Sequence, residues 1–331
     1  MSSRNKKLTY SLAINDALHV MMSRDRRVFL VGQGVKSPWY VGNTARGLLE
    51  RFGAGRVIDT PVSENAVTGA AVGAAIAGMR PVVVHPRMDF MMYALDPIAN
   101  EAANWRYMSG GRIGAPVVIW GIINRGGEQA AQHSQALHAT YAHFPGLKVV
   151  MPATPRDAKG LMISAIEDPD PVVFIDDRWL YSEEENVPAG LFRVPIGKAA
   201  VRRRGKDVTI AAVSYMAREA VAAGKELADE HGISAEIIDI RTVKPLDKKT
   251  ILASTAKTGR LVVADAGWRS FGTASEIIAS VAESGIRLKT PPMRVAIDDV
   301  PAPAASTLEK IYYPSSKDIV SAALASVKKK K

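Results

Sequence analysis

Short runs of β-branched residues alternate with helical segments along the first part of this chain. Short apolar strands that are bounded by Gly and Pro and separated by helices are typical of a parallel sheet with helices on both faces. We predict strands at Val28–Val31, Val82–His85, Val117–Trp120, Leu147–Val150 and Val172–Ile175, and helices at Leu8–Met22, Ala66–Gly78, Leu95–Tyr107 and Pro155–Ile166.

A second alternation follows the polar stretch 182–190. It predicts strands at Val208–Val213, Ala235–Ile240, Arg260–Ala264 and Met293–Ile297, and helices at Ala217–Glu230, Lys248–Thr258, Thr273–Ala282 and Lys317–Val327. A chain of 331 residues is also longer than a typical single hydrophobic core supports. We therefore predict an α/β fold of two three-layer domains with mainly parallel sheets: residues 1–185, a linker over 186–206, and residues 207–331.

The composition excludes several classes of protein. The absence of Cys excludes disulfides, thiolate nucleophiles and zinc–thiolate sites. No apolar run reaches the roughly 18 residues of a membrane span, and Met1–Lys7 lacks the apolar core of a signal peptide, so we expect a cytoplasmic location. Much of the +10 formal charge lies in Arg202–Lys206 and Lys328–Lys331, without aromatic residues to stack on bases. These runs are typical of solvated surface.

The segment Ala66–Gly78 is made almost wholly of small residues. Glycine inside a helix costs roughly 0.5–1 kcal/mol relative to alanine, and Gly69 and Gly73 are spaced to share one face. This pattern indicates that another backbone packs closely against that face. Tight packing of the helix on a sheet is the ordinary interpretation.

Two residues are candidates for acid–base chemistry. Glu64 directly precedes the small-residue helix, where a carboxylate can act as a helix cap worth about 0.3–1 kcal/mol or can face a ligand. His133 follows the Gly-rich stretch 124–132, on a loop beyond a strand end, where open α/β sheets bind ligands. A histidine can transfer protons near neutral pH, although a hydrogen-bonded loop histidine would give the same pattern.

The sequence contains no Walker loop, GxGxxG fingerprint or GxSxG elbow. If the protein uses a phosphorylated cofactor, another chain must therefore supply the phosphate-binding site.

Taken together, the segments resemble the β subunit of thiamine-diphosphate-dependent 2-oxoacid dehydrogenases of the pyruvate, branched-chain and acetoin types. The resemblance covers nearly the whole chain. Its markers are Asp59–Glu64, Arg106–Gly111, His133–Gln135, Pro145–Val150, Asp157–Gly160, Arg241–Asp247 and Asp299–Pro303.

The resemblance implies a role for each candidate residue. Glu64 matches the glutamate that hydrogen-bonds N1′ of the aminopyrimidine and so promotes removal of the thiazolium C2 proton. Phe90 matches an aromatic residue that packs on the aminopyrimidine, and we predict that Val62 and Tyr93 also contact the cofactor. His133 matches a histidine at the mouth of the active site that serves acyl transfer or substrate binding.

The resemblance also implies a metal site and partners. Val117, Ala165, Ile166, Asp168 and Asp170 match a site that holds potassium in some members. The diphosphate and Mg²⁺ are held by a separate α subunit, usually in an α2β2 heterotetramer, with the small-residue helix at a subunit contact. Some members also dock a lipoyl-bearing acyltransferase, which a basic tail at Lys328–Lys331 would repel.

Several positions depart from the family pattern and suggest an unusual substrate. Gln33-Gly34 replaces an acidic pair, and His85-Pro86-Arg87 replaces a more acidic or apolar stretch. Tyr93 stands where glutamine is common. Trp120 replaces a frequent arginine, for which Arg125 could compensate from the following loop.

Three functions follow as hypotheses. The leading hypothesis is the β subunit of a 2-oxoacid dehydrogenase, whose active site is shared with an α subunit. The second keeps thiamine diphosphate but joins carbon–carbon bonds, as a transketolase-like or carboligase heteromer acting on a sugar or a small ketone or aldehyde. The third is a non-catalytic basic scaffold that binds an acidic partner or nucleic acid.

Overall fold

The computed structural model describes residues 5–37 and 40–327, so the predicted basic tail lies outside the described residues. The chain divides into two compact units. Unit 1 comprises Met1–Arg125 and His133–Ile196, and unit 2 comprises Gly126–Gln132 and Gly197–Lys331. Within the described ranges, no helix is both long enough and apolar enough to cross a bilayer.

Unit 1 contains eight strands and six α-helices among its described residues. The strands are β1 (Asn5–Thr9), β2 (Val28–Gly32), β3 (Val57–Asp59), β4 (Arg80–His85), β5 (Val118–Ile123), β6 (Lys148–Val150), β7 (Val172–Asp177) and β8 (Glu184–Pro188). The helices are α1 (Tyr10–Arg24), α2 (Leu48–Phe52), α3 (Glu64–Ile76), α4 (Ala103–Met108), α5 (His138–His143) and α6 (Pro155–Glu167), with 3-10 turns at Met88–Ala94 and Arg178–Leu180 and a π-helical segment at Asp96–Ala102.

The main sheet of unit 1 is parallel. Its strands from this unit lie in the order β6, β7, β5, β4, β2, β3, while β1 and β8 pair separately and antiparallel. Every position of β5 and β7 is buried, which requires cover on both faces of the sheet. The carboxyl ends of β2 and β4 are neighbours, because Gly32 pairs with Val84. The loops after these strands therefore meet at one edge.

The strands of unit 2 are β9 (Ala200–Arg203), β10 (Val208–Ala212), β11 (Ala235–Asp239), β12 (Thr242–Lys244), β13 (Leu261–Trp268) and β14 (Met293–Ile297). Five of them form a smaller sheet in the order β14, β13, β10, β11, β9, which is parallel except for β9 against β11. The helices of unit 2 are α7 (Tyr215–His231), α8 (Lys248–Thr258), α9 (Thr273–Glu283), α10 (Ser306–Tyr312) and α11 (Ser316–Val327).

The predicted α/β class with mostly parallel sheets is confirmed. The segment 186–206, predicted as a linker, contains the end of β8 and all of β9, which pairs antiparallel with β11. One prediction needs correction. The predicted helix Leu95–Tyr107 is π-helical over Asp96–Ala102 before it becomes α4.

Candidate active site

A cleft of about 320 Å³ opens at the edge of the unit 1 sheet where β2 and β4 end and α3 begins. We call it the Glu64 cleft. It is lined by Gly32, Gln33, Tyr40, Thr60, Pro61, Val62, Ser63, Glu64, Val67, Val84, His85, Pro86, Arg87, Phe90 and Tyr93. Its place at the carboxyl ends of parallel strands is where open α/β sheets bind ligands.

Glu64 is the first residue of α3 and is half-buried in the cleft. The segment before it is fixed at two points. The Thr60 amide donates to the Gly32 carbonyl at 3.2 Å, and the Gly34 amide donates to the Asp59 carboxylate at 2.7 Å. These bonds join the loops after β2 and β3. The carboxylate is thereby presented at a set place, at the positive end of the helix dipole.

Aromatic side chains also line the cleft. Phe90 and Tyr93 lie on the 3-10 turn after β4 and stack with ring centroids 6.4 Å apart. The Asn65 side-chain amide, one residue after Glu64, donates to the Tyr93 carbonyl at 3.3 Å. Tyr93 and Val62 are 70% and 69% exposed, so large apolar surfaces are available to a ligand.

His133 is not among the residues that line the cleft, but it contacts one of them. Its ring meets Phe90 edge-on, with centroids 5.2 Å apart. Its loop is anchored by the buried Asp89, whose carboxylate accepts from the Gln135 amide at 3.1 Å. Burial raises the pKa of Asp89, and the bonds from Gln135 and the charge of His133 oppose that rise. The structure thus brings His133 to the border of the predicted cofactor residues.

His85, at the end of β4, is a buried imidazole in the cleft wall. Its Nε2 lies 3.2 Å from the Thr68 hydroxyl of α3. Burial lowers its pKa to about 4, because the charged ring would lose its hydration. His85 is therefore neutral near pH 7 and fixes α3 to β4 by a neutral hydrogen bond.

Of the predicted potassium ligands, Ala165, Ile166 and Asp168 lie at the end of α6, Asp170 follows that helix, and Val117 directly precedes β5. Four of the five already have polar partners: Val117, Ile166, Asp168 and Asp170. Arg80 donates to the Ile166 and Asp168 carbonyls at 2.6 and 3.2 Å. Lys148 donates to both oxygens of the Asp168 carboxylate at 2.6 and 2.8 Å, and Arg106 pairs with Asp170. The Val117 carbonyl accepts from the Val172 amide at 3.0 Å.

We call Arg80, Arg106, Lys148, Asp168 and Asp170 the Asp168 cluster. A potassium ion on the same oxygens would lie beside a guanidinium and an ammonium group, which repel it. Among the described contacts, the Ala165 carbonyl oxygen is not bonded to any of the three cations of the cluster. These residues, as arranged, do not fit a potassium ion.

The helix face that carries Gly69 and Gly73 does not pack closely within unit 1. A Cβ atom added at Gly73 would meet nothing within 4 Å, and one added at Gly69 would meet only the Pro97 side chain at 3.9 Å. Tight packing of this face on the sheet is therefore wrong. Thr68, Ala71, Val72 and Ala75 form the buried face instead.

Sequence reasoning did not place Tyr40 in the cleft, and it misplaced Arg125. Arg125 is buried against Asp177, with Nε 3.0 Å from a carboxylate oxygen, and it does not line the cleft. It therefore cannot stand in for the arginine that Trp120 replaces. Gln33 and Arg87 line the cleft, and the signal that could have found them is their position directly after two neighbouring strands.

The Glu64 cleft fits the aminopyrimidine of thiamine diphosphate. A flat heteroaromatic ring needs apolar walls and one carboxylate, and Phe90, Val62, Val67 and Glu64 supply them. The described residues that line the cleft contain no lysine and no Gly-rich helix start that would cradle a diphosphate. That end of the cofactor would need a second chain.

Comparisons with known proteins agree with this geometry. The family model described as "Transketolase, pyrimidine binding domain" matches residues 6–183. The model described as "Transketolase, C-terminal domain" matches residues 197–319. Both matches fall on an α/β arrangement like the one observed.

Curated relatives match almost the whole chain. The β-1 subunit of the mitochondrial pyruvate dehydrogenase E1 component of Oryza sativa is 45% identical over 97% of this chain and 87% of its own length. The β subunit of the acetoin:2,6-dichlorophenolindophenol oxidoreductase of Cupriavidus necator is 43% identical over 98% of both chains. The corresponding pyruvate dehydrogenase E1 subunit of Rhizobium meliloti is 42% identical over 96% of this chain and 69% of its own length.

Among solved structures, a split-gene transketolase described as an inactive β4 tetramer superposes with a TM-score of 0.79. The alignment covers 97% of this chain and 98% of that chain at 22% identity, so it bears on the fold alone. The curated relatives do not favour the carboligase or the basic scaffold. The chain belongs to the family of β subunits of 2-oxoacid dehydrogenase E1 components and acetoin oxidoreductases, built from a transketolase pyrimidine-binding domain and a transketolase C-terminal domain.

Proposed function

We propose that this protein is the β subunit of a thiamine-diphosphate-dependent 2-oxoacid dehydrogenase, which catalyses oxidative decarboxylation and acyl transfer. One observation carries the proposal. Glu64 is the first residue of α3 and lines a cleft together with aromatic side chains. The chain that carries it is 41–45% identical to named E1 β subunits. A carboxylate beside apolar walls is the arrangement that a protonatable aminopyrimidine requires.

Thiamine diphosphate, when bound, supplies the electron sink that 2-oxoacid decarboxylation needs. The residues of this chain orient it and handle protons. Glu64 would hydrogen-bond N1′ of the aminopyrimidine and hold the proton shared at that atom. Phe90, Val62 and Tyr93 would cover the ring and exclude water from it. His133, against the edge of Phe90, donates or accepts a proton at the substrate or acyl-acceptor end.

The proposal requires an α subunit that holds the diphosphate and its Mg²⁺, and we propose an α2β2 heterotetramer. The helix face at Gly69 and Gly73 supports a subunit contact, because an added Cβ would meet nothing described within 4 Å at Gly73 and only the Pro97 side chain at Gly69. Docking of a lipoyl acyltransferase and a cytoplasmic location stay predictions. We propose the predicted boundaries at 185 and 207 as the domain limits, with the end of β8 and all of β9 inside the connecting region.

The experiment is an assay of the protein assembled with its α subunit. A 2-oxoacid with an artificial electron acceptor is compared with ketose donors plus aldehyde acceptors, each with and without thiamine diphosphate. We expect acceptor reduction that requires both a 2-oxoacid and thiamine diphosphate. Glu64→Gln should remove this activity while the assembly stays intact by sedimentation.

Ketol transfer without acceptor reduction would replace the proposal by the carboligase hypothesis. Glu64→Gln with near-normal turnover would remove the role of Glu64. The exposed Glu50 of α2 offers a matched control, since Glu50→Gln changes the same charge away from the cleft.

A further inference from the structure

Arg87 is a cation at the cleft that the proposed chemistry does not use. It stands after β4, next to the loop that follows β2, and it lines the cleft together with Gln33, Tyr40 and Glu64. Among the lining residues that the structure describes, Glu64 and Arg87 alone carry a formal charge at pH 7, since His85 is neutral there. The charged groups of the cleft lining are thus one carboxylate, from Glu64, and one guanidinium, from Arg87.

The guanidinium of Arg87 is held in place. Its Nη1 donates to the Pro86 carbonyl at 2.8 Å, and its Cζ lies 6.0 Å from the centre of the Tyr40 ring. A half-buried arginine fixed by an aromatic face and a backbone bond loses little further freedom when it binds a ligand.

A second guanidinium, that of Arg178, adds to the positive potential at Arg87. Arg178 donates to the Tyr40 carbonyl, so Tyr40 has one arginine over its ring and another at its backbone. Burial and the repulsion of Arg178 lower the pKa of Arg87, while Tyr40 and Asp89 oppose the shift. An oxyanion would relieve the repulsion between the two cations and would gain charge-assisted hydrogen bonds.

We propose that Arg87 is a specificity-determining residue that binds a second, non-reacting anionic group of the substrate, either a carboxylate or a phosphate. This inference rests on the proposed function and names the substrate class for the same cleft. The substrate is then a 2-oxoacid with an acidic group on its side chain rather than one with a purely apolar side chain.

The reacting carboxylate is a poor partner for this arginine. It leaves as carbon dioxide and loses its charge in the transition state, so a guanidinium fixed on it would stabilise the ground state more and slow the reaction. A distal anion keeps its charge throughout, and binding it lowers KM without opposing the chemical step.

The test uses the assembled protein with wild-type Arg87, Arg87→Gln and Arg87→Lys. The substrates are pyruvate and 2-oxobutyrate, which lack a second anion, 2-oxoglutarate and 2-oxoadipate for the carboxylate, and 3-phosphohydroxypyruvate for the phosphate. We expect the wild type to prefer one of the dianionic classes. Arg87→Gln should raise KM for that class about 10- to 100-fold and leave KM for pyruvate within about twofold. Arg87→Lys should restore part of the loss.

Arg46→Gln is the matched control, because Arg46 is exposed and lies outside the cleft lining. Thermal unfolding of each variant checks that it is folded. A rise in KM for thiamine diphosphate in Arg87→Gln would assign the arginine to the cofactor and overturn the proposal. Equal effects on pyruvate and on the dianionic acids would overturn it too.

A binding measurement separates this proposal from the proposed function. If the wild type reduced no electron acceptor with any 2-oxoacid, the proposed dehydrogenase function would be refuted. Stabilisation against heat by a dianionic acid, present in the wild type and lost in Arg87→Gln, would still support the anion site. Equal stabilisation of both proteins, or none in the wild type, would refute it.

Discussion

The Glu64 cleft and the Asp168 cluster both lie in unit 1, and the family resemblance predicted a binding site at each, for thiamine diphosphate and for potassium respectively. They differ in how their polar atoms are satisfied. Glu64 lies half-buried beside exposed apolar side chains, in a cleft large enough for a ligand. The oxygens of Ile166 and Asp168 are already bonded to Arg80 and Lys148.

The difference shows that matching residue types do not by themselves make a binding site. A carboxylate or carbonyl oxygen serves a ligand only when no cation of the chain already takes it. In the Asp168 cluster, each carboxylate is paired with a guanidinium or ammonium group of the same cluster. The Glu64 carboxylate instead lines an open cleft.

The largest expected effect is on activity, from Glu64→Gln. The amide keeps the size of the side chain but cannot hold the proton shared with the aminopyrimidine. We expect kcat to fall by about 10²- to 10⁴-fold, with an unchanged midpoint of unfolding. Steady-state kinetics and urea unfolding of the same preparation measure the two quantities.

The comparison fails if Glu64→Gln lowers stability and activity together, since Glu64 would then be a structural cap. Asp168→Asn provides the opposite pattern, in which stability falls and kcat stays within about twofold. A large drop in kcat in Asp168→Asn would move the cluster into the catalytic machinery.

The second effect concerns acid stability and comes from His85 in the cleft wall. Its pKa is about 4 in the folded protein against 6.5 when exposed, so the unfolded chain binds the additional proton between these values. Folding is therefore fully favoured above about pH 6.5 and loses about 3 kcal/mol as the pH falls toward 4. His85→Gln should lose less stability across this window.

Urea unfolding from pH 7.5 to 4.5 measures this slope, and His231→Gln is the control because His231 is exposed at the end of α7. Equal slopes in wild type and His85→Gln would mean that the imidazole is not buried in its neutral form.

The fold was largely predictable because its signals are local. Runs such as Met293–Ile297 and Lys248–Thr258 carry their own periodicity and flanking turns, and the structure places a strand and a helix at those bounds. β9 was not predictable, because it is short and pairs with β11, a strand more than 30 residues later in the chain. The position of Gln33 and Arg87 in the cleft could be predicted, because both follow strands that are neighbours in the sheet. The contacts of Arg80 and Lys148 with Asp168 could not, because these residues lie on strands far from Asp168 in the sequence.

The third effect is on the stability of the Asp168 cluster. In Asp168→Asn, Lys148 loses a carboxylate partner in a partly buried setting, where side-chain exposures are 28% and 13%. We expect the free energy of unfolding to fall by about 1–2 kcal/mol, less than for a fully buried pair because water screens the charges. Glu184→Gln, which breaks an exposed pair with Lys7, should change it by less than about 0.5 kcal/mol. Urea denaturation at one pH compares the two variants.

The smallest expected effect is the response of the wild type to potassium. If Arg80 and Lys148 hold the oxygens that a potassium ion would use, replacing KCl by NaCl at equal ionic strength should leave both Tm and kcat unchanged. Arg80→Met removes the donor to the Ile166 and Asp168 carbonyls, and it should lower Tm. Because carbonyl oxygens are ligands for hard cations and the guanidinium no longer repels the ion, KCl should raise the Tm of this variant more than NaCl does. Specific stabilisation of the wild type by KCl over NaCl would show that the cluster opens to admit the ion, and the contrast between the two regions would disappear.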